Sequence, residues 1–457
     1  MYVNSSGTEN VSLSLTFLGK KVGRRCAVAP ASKQRAWETT TLSPCPEDTV
    51  GSLRGRPAPV TVSLVEELPG SVPDLREEVV HQQPCTVHNT HLDQDRGRRK
   101  IRVFCRIRPA SRAEAAQGGA VVVQRLDDYS VTVETARGPR EFQFDRVFST
   151  ESSQEDIFQD TNRLIQSAID GYNVCIFAFG QTGSGKTFTM VGDKEQRSPG
   201  IMPRAFNAIF DIVQENAGKF DFKVSAYMLE LYNDQLQDLL ASGPEGRGRR
   251  LEIKRNRKGL VFAQGADTRD ASSATELFAL FQQACANRHI SSTKMNVESS
   301  RSHLIVGIVV EGRNLTNGSV SCGKLSLVDL AGSERAAKTG AKDHQLKEAN
   351  SINKSLSALG DVISALSLEL PHVPYRNSKL TQIMQDSLGG NAKTLMIANA
   401  SPSECNVDET LTSLIYATRV KAITNNAQRN LDSKEIAQLK EVIVKLRSGE
   451  TVEEEDV

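Results

Sequence analysis

An α/β sandwich, with a mostly parallel or mixed central sheet and helices on both faces, is the fold class this sequence predicts. Three observations predict it. From about residue 100 to residue 426, short apolar runs suited to buried strands alternate with amphipathic runs suited to helices. One strand run, Val174-Cys175-Ile176-Phe177-Ala178-Phe179, leads directly into a glycine-rich loop and then into Phe188-Thr189-Met190, suited to a helix start. The chain also has 457 residues, ample length to bury a large core.

In chain order, residues 1–98 come first and differ from the rest. They are rich in Ser, Thr, Pro and Arg and hold the only tryptophan, Trp37. Val60-Thr61-Val62-Ser63-Leu64-Val65 alternates like an edge strand, but one short strand cannot fold alone. This segment is expected to be a mostly disordered extension. At Lys100 the character changes, and Ile101 to Arg108 alternates apolar and basic residues, as a strand does. Further strands are expected at 222–227, 304–310, 324–329 and 394–398. Helices are expected at 153–170, 201–216, 273–286, 352–368 and 408–423.

The expected domains are therefore the extension 1–98, a folded domain 99–426, and a C-terminal helix with acidic tail, 427–457. The helix should span 432–447, with Asp432 or Ser433 as N-cap. Its Ile436, Leu439, Ile443 and Leu446 are spaced three, four, three, an a/d stripe over two heptads. Two heptads are too few for a free coiled coil, so the stripe needs a docking surface or packs on the domain's edge. Glu453, Glu454, Glu455 and Asp456 form a solvated acidic run.

Composition excludes several classes. A net charge of +1 carries no global signal for nucleic acid, so an acidic partner must be met by a local patch. Eight cysteines are scattered with no CxxC pair, and Cys105, Cys175 and Cys322 fall in or beside strands. That suits a reduced, cytoplasmic setting rather than a disulfide scaffold or a zinc site. No secretory signal and no apolar run long enough for a membrane span is legible.

Gly180-Gln181-Thr182-Gly183-Ser184-Gly185-Lys186-Thr187 matches a phosphate-binding loop. Its backbone N–H groups and the following helix N-terminus suit a polyphosphate. Lys186 can reach the β- and γ-phosphates, and the Thr187 hydroxyl can ligate Mg²⁺. A triphosphatase must also sense the γ-phosphate and place a water. Two further segments suit that. In Asn296-Val297-Glu298-Ser299-Ser300-Arg301-Ser302-His303, Ser299 and Ser300 can contact Mg²⁺ and the γ-phosphate, and Arg301 brings a planar charge. In Asp329-Leu330-Ala331-Gly332-Ser333-Glu334-Arg335, Asp329 ends a strand and can hold Mg²⁺ through water, while the Gly332 N–H can donate to the γ-phosphate. The nearest match to a guanine motif, Asn353-Lys354-Ser355-Leu356, lacks the carboxylate, which points to adenine.

These three motifs in this order resemble the kinesin motor domain, within the P-loop NTPase fold class. Arg106-Ile107-Arg108-Pro109, Ile352-Asn353-Lys354-Ser355-Leu356 and Val373 to Thr381 extend the resemblance over about residues 100–425. Within the family the chain is most similar to the C-terminal-motor kinesins, the kinesin-14 class. Tyr227-Met228-Leu229-Glu230-Leu231-Tyr232, Ser302 to Val306 and Ser433 to Lys440 resemble its calmodulin-binding branch.

The resemblance implies ATP and ADP as ligands with Mg²⁺, and tubulin in microtubules as partner. It implies that Arg106, Arg108 and Pro109 line the adenine side with Phe188 nearby. Thr187 and Ser300 would ligate Mg²⁺ directly, with Asp329 acting through water; Ser299 and Gly332 would contact the γ-phosphate. Arg301 and Glu334 would close an ion pair around ATP, and Glu334 would relay the proton of the attacking water. Lys338, Lys342 and Lys347, on the loop before the helix starting near Ile352, would meet the microtubule with Lys354, Arg376 and Lys379. Lys254, Arg255, Arg257 and Lys258 resemble a second contact hairpin. Such contacts should weaken with salt, since the Debye length is about 8 Å at physiological strength.

The chain departs from the class at its neck: Pro84, Gly97 and the lack of apolar heptads before residue 100 argue against a coiled coil, which leaves dimerisation open. The C-terminal helix has Lys440, Lys445 and Arg447 but no Trp or Phe, so calmodulin or another regulator is a secondary expectation. The implied activity is a microtubule-stimulated ATPase of the cytoskeleton, moving toward minus ends by class. An ATP-regulated microtubule binder or bundler without movement is the alternative.

Overall fold

The structure, a computed structural model, describes residues 98–116, 118–193, 195–241, 249–256, 260–291, 300–334 and 344–448. Trp37, the stretch 60–65 and the acidic tail lie outside the described residues. Strand β1 (Arg98–Lys100) precedes β2 (Arg102–Ile107), and a short helix α1 (Arg112–Ala116) follows. A separate three-stranded sheet comprises β3 (Val123–Arg125), β4 (Ser130–Val133) and β5 (Arg140–Gln143), before β6 (Arg146–Phe148). Helix α2 (Gln154–Ile169) starts with a capping box between Ser153 and Asp156. Then come β7 (Asn173–Phe179), the short helix α3 (Lys186–Met190) and α4 (Ile201–Glu215).

The second half begins with a long strand, β8 (Phe220–Tyr232), and its hairpin partner β9 (Gln235–Asp238). A two-stranded hairpin, β10 (Glu252–Arg255) and β11 (Val261–Gln264), precedes β12 (Arg269–Ala271) and α5 (Ala274–Ser291). Strands β13 (His303–Asn314) and β14 (Val320–Asp329) lead to α6 (His344–Ser367), a 3₁₀ turn at Tyr375–Asn377 and α7 (Lys379–Ile383). Strand β15 (Lys393–Ala400), helix α8 (Val407–Ala422), β16 (Thr424–Asn426), β17 (Leu431–Asp432) and α9 (Lys434–Ser448) complete the order.

The main sheet runs β12-β8-β13-β14-β7-β15-β2-β6, with β9 paired to β8 and β17 to β14. From β14 to β6 every neighbouring pair is parallel; from β12 to β14 every pair is antiparallel. The expected mixed sheet is therefore split into two halves. Strand β7 sits at the centre and is buried along its whole length, as its unbroken apolar run implies. Its alternate residues feed two cores. Val174, Ile176 and Ala178 face a core with Ile157, Ile165, Phe206 and Phe281 from α2, α4 and α5. Cys175, Phe177 and Phe179 face a core with Leu359, Ile363, Leu380 and Leu414 from α6, α7 and α8.

Three expectations are corrected. Helix α6 begins at His344, eight residues before Ile352, so Lys347 lies on the helix and not on the loop before it. Strands β8 and β13 are far longer than the apolar cores 222–227 and 304–310, because pairing with each other over twelve positions extends both. The stripe on α9 does not pack on the domain's edge: Ile436, Leu439, Ile443 and Leu446 are all exposed. That helix is held at its start, where β17 pairs with β14, and by an Arg313–Glu441 ion pair at 3.3 Å. Ser433, not Asp432, is its N-cap: the Ser433 carbonyl accepts from the Ala437 N–H at 3.0 Å. Cys105 and Cys175 are buried, which pushes their thiols up to about 12 and about 11, while Cys322 is half-buried.

Candidate functional site

Parallel pairing gathers strand ends. Asp329 of β14 is level with Ala178, Ala398 of β15 with Phe179, and Asn399 with Arg106 of β2. The carboxyl ends of four strands thus share one edge, the place where open α/β sheets bind ligands. Antiparallel β13 starts where β14 ends, with Leu304 opposite Asp329, so residues 300–302 arrive at the same edge.

The phosphate loop leaves β7 at Gly180, whose φ is +149°. A Cβ there would lie 2.4 Å from the Asn399 carbonyl oxygen, so only glycine lets the loop turn against β15. Lys186 is buried, and its ammonium donates to the Gln181 carbonyl at 2.9 Å. Burial pulls its pKa down, against the opposing pull of Asp329 and Glu334. The Thr187 hydroxyl donates to Asp329 Oδ2 at 2.7 Å. Asp329 is fully buried, and burial raises its pKa against the nearby charges of Arg288 and Lys186. Its Oδ1, with Ser184 Oγ and Gln181 Oε1, is buried without a hydrogen-bond partner among the described residues. A buried carboxylate oxygen left open beside a threonine hydroxyl fits a hard, oxygen-ligated ion such as Mg²⁺. Thr187, Ser300 and Asp329 are the residues that would hold it.

On the other side of the loop, Arg106 is buried beneath the ring of Phe188, its guanidinium 5.2 Å from the ring centroid. It donates to Gln154 Oε1 at 2.7 Å and to Thr189 Oγ1 at 2.8 Å. Burial lowers its pKa to about 10. Asn399 Nδ2 reaches the same Thr189 hydroxyl at 2.9 Å, and Gln154 Nε2 donates to the Phe188 carbonyl at 2.6 Å. Phe188 is left 41% exposed. Arg108 grips the loop itself, donating to the Gly183 carbonyl at 2.6 Å while both its Nη atoms hold Glu114. That pairing drops the Glu114 pKa to about 2. Pro109 is exposed beside it.

The segment after β14 is laced to both neighbours. The Ala331 N–H donates to His303 Nδ1 at 3.0 Å, Gly332 to the Ser300 carbonyl at 3.0 Å, and Ser333 to the Gly180 carbonyl at 3.1 Å. Glu334 accepts from the Thr182 N–H at 2.8 Å and from its hydroxyl at 2.5 Å. A Cβ on Gly332 would lie 2.3 Å from both Glu334 Oε2 and Thr182 Oγ1, so a side chain there would displace the contact between those two residues. Its N–H, expected to face a phosphate, is engaged by Ser300 here. Ser300 and Arg301 are half-buried at the site, and Ser299 lies outside the described residues.

Sequence reasoning missed a second layer. Arg288 of α5, 6% exposed, lies 3.4 Å from Glu230 of β8 and donates to the Ser302 hydroxyl and carbonyl at 3.0 and 3.1 Å. It anchors the start of β13. Nothing in the local sequence marks Arg288, Gln154 or Glu114 for these roles. Asn399 is different: a lone amide in an otherwise apolar strand end was a usable signal.

Part of the expected basic surface falls within the described residues. Lys254 and Arg255 on β10 are exposed, as are Arg376 on the 3₁₀ turn and Lys354 on α6; Lys379 is half-buried. A cleft of about 590 Å³ separates the hairpin from the turn and is lined by Lys254, Arg255, Tyr375 and Arg376. No residue of the phosphate loop lines it, so it belongs to the basic face and not to the nucleotide edge. Arg257, Lys258, Lys338 and Lys342 lie outside the described residues.

The kinesin motor domain family matches residues 106–423. A kinesin-like protein KIN-14E of Arabidopsis thaliana is 50% identical over 361 residues, covering 78% of this chain and 28% of that protein. KIN-14I of Oryza sativa subsp. japonica is 48% identical, covering 78% and 29%. This chain thus spans less than a third of the length of these relatives. A solved structure described as a fast kinesin aligns with a TM-score of 0.68 at 39% identity, covering 73% of this chain and 94% of that one.

Proposed function

The chain belongs to the kinesin motor family, in its kinesin-14 class, and from that premise we propose that it is an ATP-driven microtubule motor. The observation that carries this is the lacing of three loops. Glu334 holds Thr182 of the phosphate loop, while Gly332 holds Ser300 of the segment before β13. A γ-phosphate contacting Ser299 and the Gly332 N–H competes for the second of these bonds. Its presence is thereby converted into a shift of the Asp329–Glu334 segment.

In this scheme Lys186 and the loop amides orient the polyphosphate of ATP, and Arg106, Arg108, Pro109 and Phe188 border its base. Mg²⁺, held by Thr187, Ser300 and Asp329, would neutralise phosphate charge. Arg301 pairs with Glu334 when ATP is bound, and Glu334 takes the proton of the attacking water. The displaced segment leads to α6, whose Lys354, with Arg376, Lys379 and the hairpin bearing Lys254 and Arg255, meets the acidic microtubule. The fast kinesin is described as interacting with microtubules, which supports this assignment by analogy. By the family resemblance, Arg257, Lys258, Lys338, Lys342 and Lys347 are further microtubule contacts in this reading.

The finer assignments follow the class: movement toward minus ends, residence on cytoplasmic microtubules, and division into an extension 1–98, a motor 99–426 and a C-terminal segment 427–457. Membership of the calmodulin-binding branch rests on the stretches Tyr227 to Tyr232, Ser302 to Val306 and Ser433 to Lys440, and the exposed stripe on α9 offers calmodulin or another regulator a surface. Steady-state ATP turnover with and without microtubules tests the proposal. Strong stimulation is expected; turnover indifferent to microtubules rejects it. Gliding of polarity-marked microtubules separates a motor from a binder that turns over ATP without moving.

A further inference from the structure

His303 ends one sequence motif and Ser355 lies within another, and neither has a part in the scheme above. They meet in the interior. His303 is 2% exposed and Ser355 5%. His303 Nδ1 accepts the Ala331 N–H at 3.0 Å, so that nitrogen carries no proton. A neutral imidazole then bears its proton on Nε2, which lies 2.9 Å from Ser355 Oγ and donates to it. Ser355 in turn donates to the Ile352 carbonyl at 2.7 Å. Every donor in this chain has one acceptor, and its direction has no freedom.

We propose that His303 is the positioning residue that ties the Asp329–Glu334 segment to helix α6, so that movement at the nucleotide edge changes how α6 presents its basic side. The inference rests on the motor function proposed above. One end of the relay, Ala331, directly precedes Gly332, whose own N–H is held by Ser300. The other end lies one residue from exposed Lys354. The imidazole is rigid, and a shift of Ala331 by about half an ångström takes a 3.0 Å bond out of hydrogen-bond range. The ring must follow or lose its partner. A buried amide or hydroxyl left without a partner is unfavourable, so the loop and the helix move as one unit. Two motifs 52 residues apart in sequence become parts of one device.

The test uses the full chain, with microtubules as the probe. Ser355→Ala removes the acceptor with little loss of volume. Basal turnover should stay within about twofold of the parent, while the microtubule-stimulated kcat falls about tenfold with little change in the microtubule KM. Ser355→Thr, which keeps the hydroxyl, should restore it. His303→Asn keeps an acceptor for Ala331 and loses the arm to Ser355. It should match Ser355→Ala, and the double variant should be no worse than either. Should Ser355→Ala fail to fold, His303→Asn carries the test alone. Unchanged stimulated kcat, equal losses in basal and stimulated turnover, or additive losses in the double variant overturn the inference. A parent chain that microtubules do not stimulate overturns the motor proposal itself.

Discussion

The nucleotide edge and the basic face use polar residues in opposite ways. At the edge, charged groups are buried and each is gripped by a neighbour: Lys186 by Gln181, Asp329 by Thr187, Arg288 by Glu230 and Ser302. On the basic face, Lys254, Arg255, Lys354 and Arg376 stand in solvent. The contrast teaches where single residues matter. Removing a buried partner strands another buried charge, whereas removing a solvated cation subtracts only one screened interaction.

The largest effect should come from Arg288→Ala, which leaves Glu230 buried and unpaired. A loss of about 3–5 kcal/mol in urea unfolding is expected. A loss below about 1 kcal/mol would break the contrast at its strongest point. Next comes Glu334→Ala, which deletes both contacts to Thr182 and the proposed proton relay. Stimulated turnover should drop by about 10²–10³-fold, with fold stability nearly unchanged. Arg301→Ala should be comparably impaired if the two residues act as one latch. Parent-like turnover in both variants would remove the latch.

Acid should sharpen the contrast further. Burial holds the His303 pKa at about 3, far below its unfolded value of about 6.5. The unfolded chain therefore binds more protons between those limits. His303's contribution is present above about pH 6.5 and lost toward pH 3, at up to roughly 1.4 kcal/mol per pH unit. Glu114, depressed to about 2, acts in the same direction lower down, between about pH 4.5 and pH 2. Unfolding followed from pH 7 to pH 5 should show a shallower slope in His303→Asn than in the parent. Equal slopes would place the acid sensitivity elsewhere.

The smallest effects belong to the basic face. Arg376→Ala or Arg255→Ala should raise the microtubule KM by about two- to fivefold and reduce its salt dependence, leaving basal turnover alone. A loss beyond about a hundredfold from one such change would mean that these cations are desolvated on binding and behave like the buried set.

Much of the site was legible because its parts are local. The phosphate loop, Ser300 and Arg301, and Asp329 to Glu334 are contiguous motifs, each at a strand end, and the unbroken apolar run of β7 announced a buried strand. Helix α6 was read as starting eight residues late, because apolar periodicity is clear only from Ile352 onward. Strands β8 and β13 were read short for a related reason. Their outer residues include exposed polar positions such as Asp221 and Glu311, held extended by the partner strand and not by their own hydrophobicity.

By itself the sequence determined the chemistry available here: a loop whose backbone can approach phosphate, a hydroxyl and a carboxylate for a metal, and a reserve of surface cations. Only tertiary structure decided which of these meet. Parallel pairing of β14, β7, β15 and β2 brings Asp329, Gly180, Asn399 and Arg106 to one edge, and burial joins Arg288 to Glu230 and His303 to Ser355. Such partnerships join residues more than fifty positions apart, and no local pattern specifies them. They form because a polar group enclosed by the fold must find its partner among the groups enclosed with it.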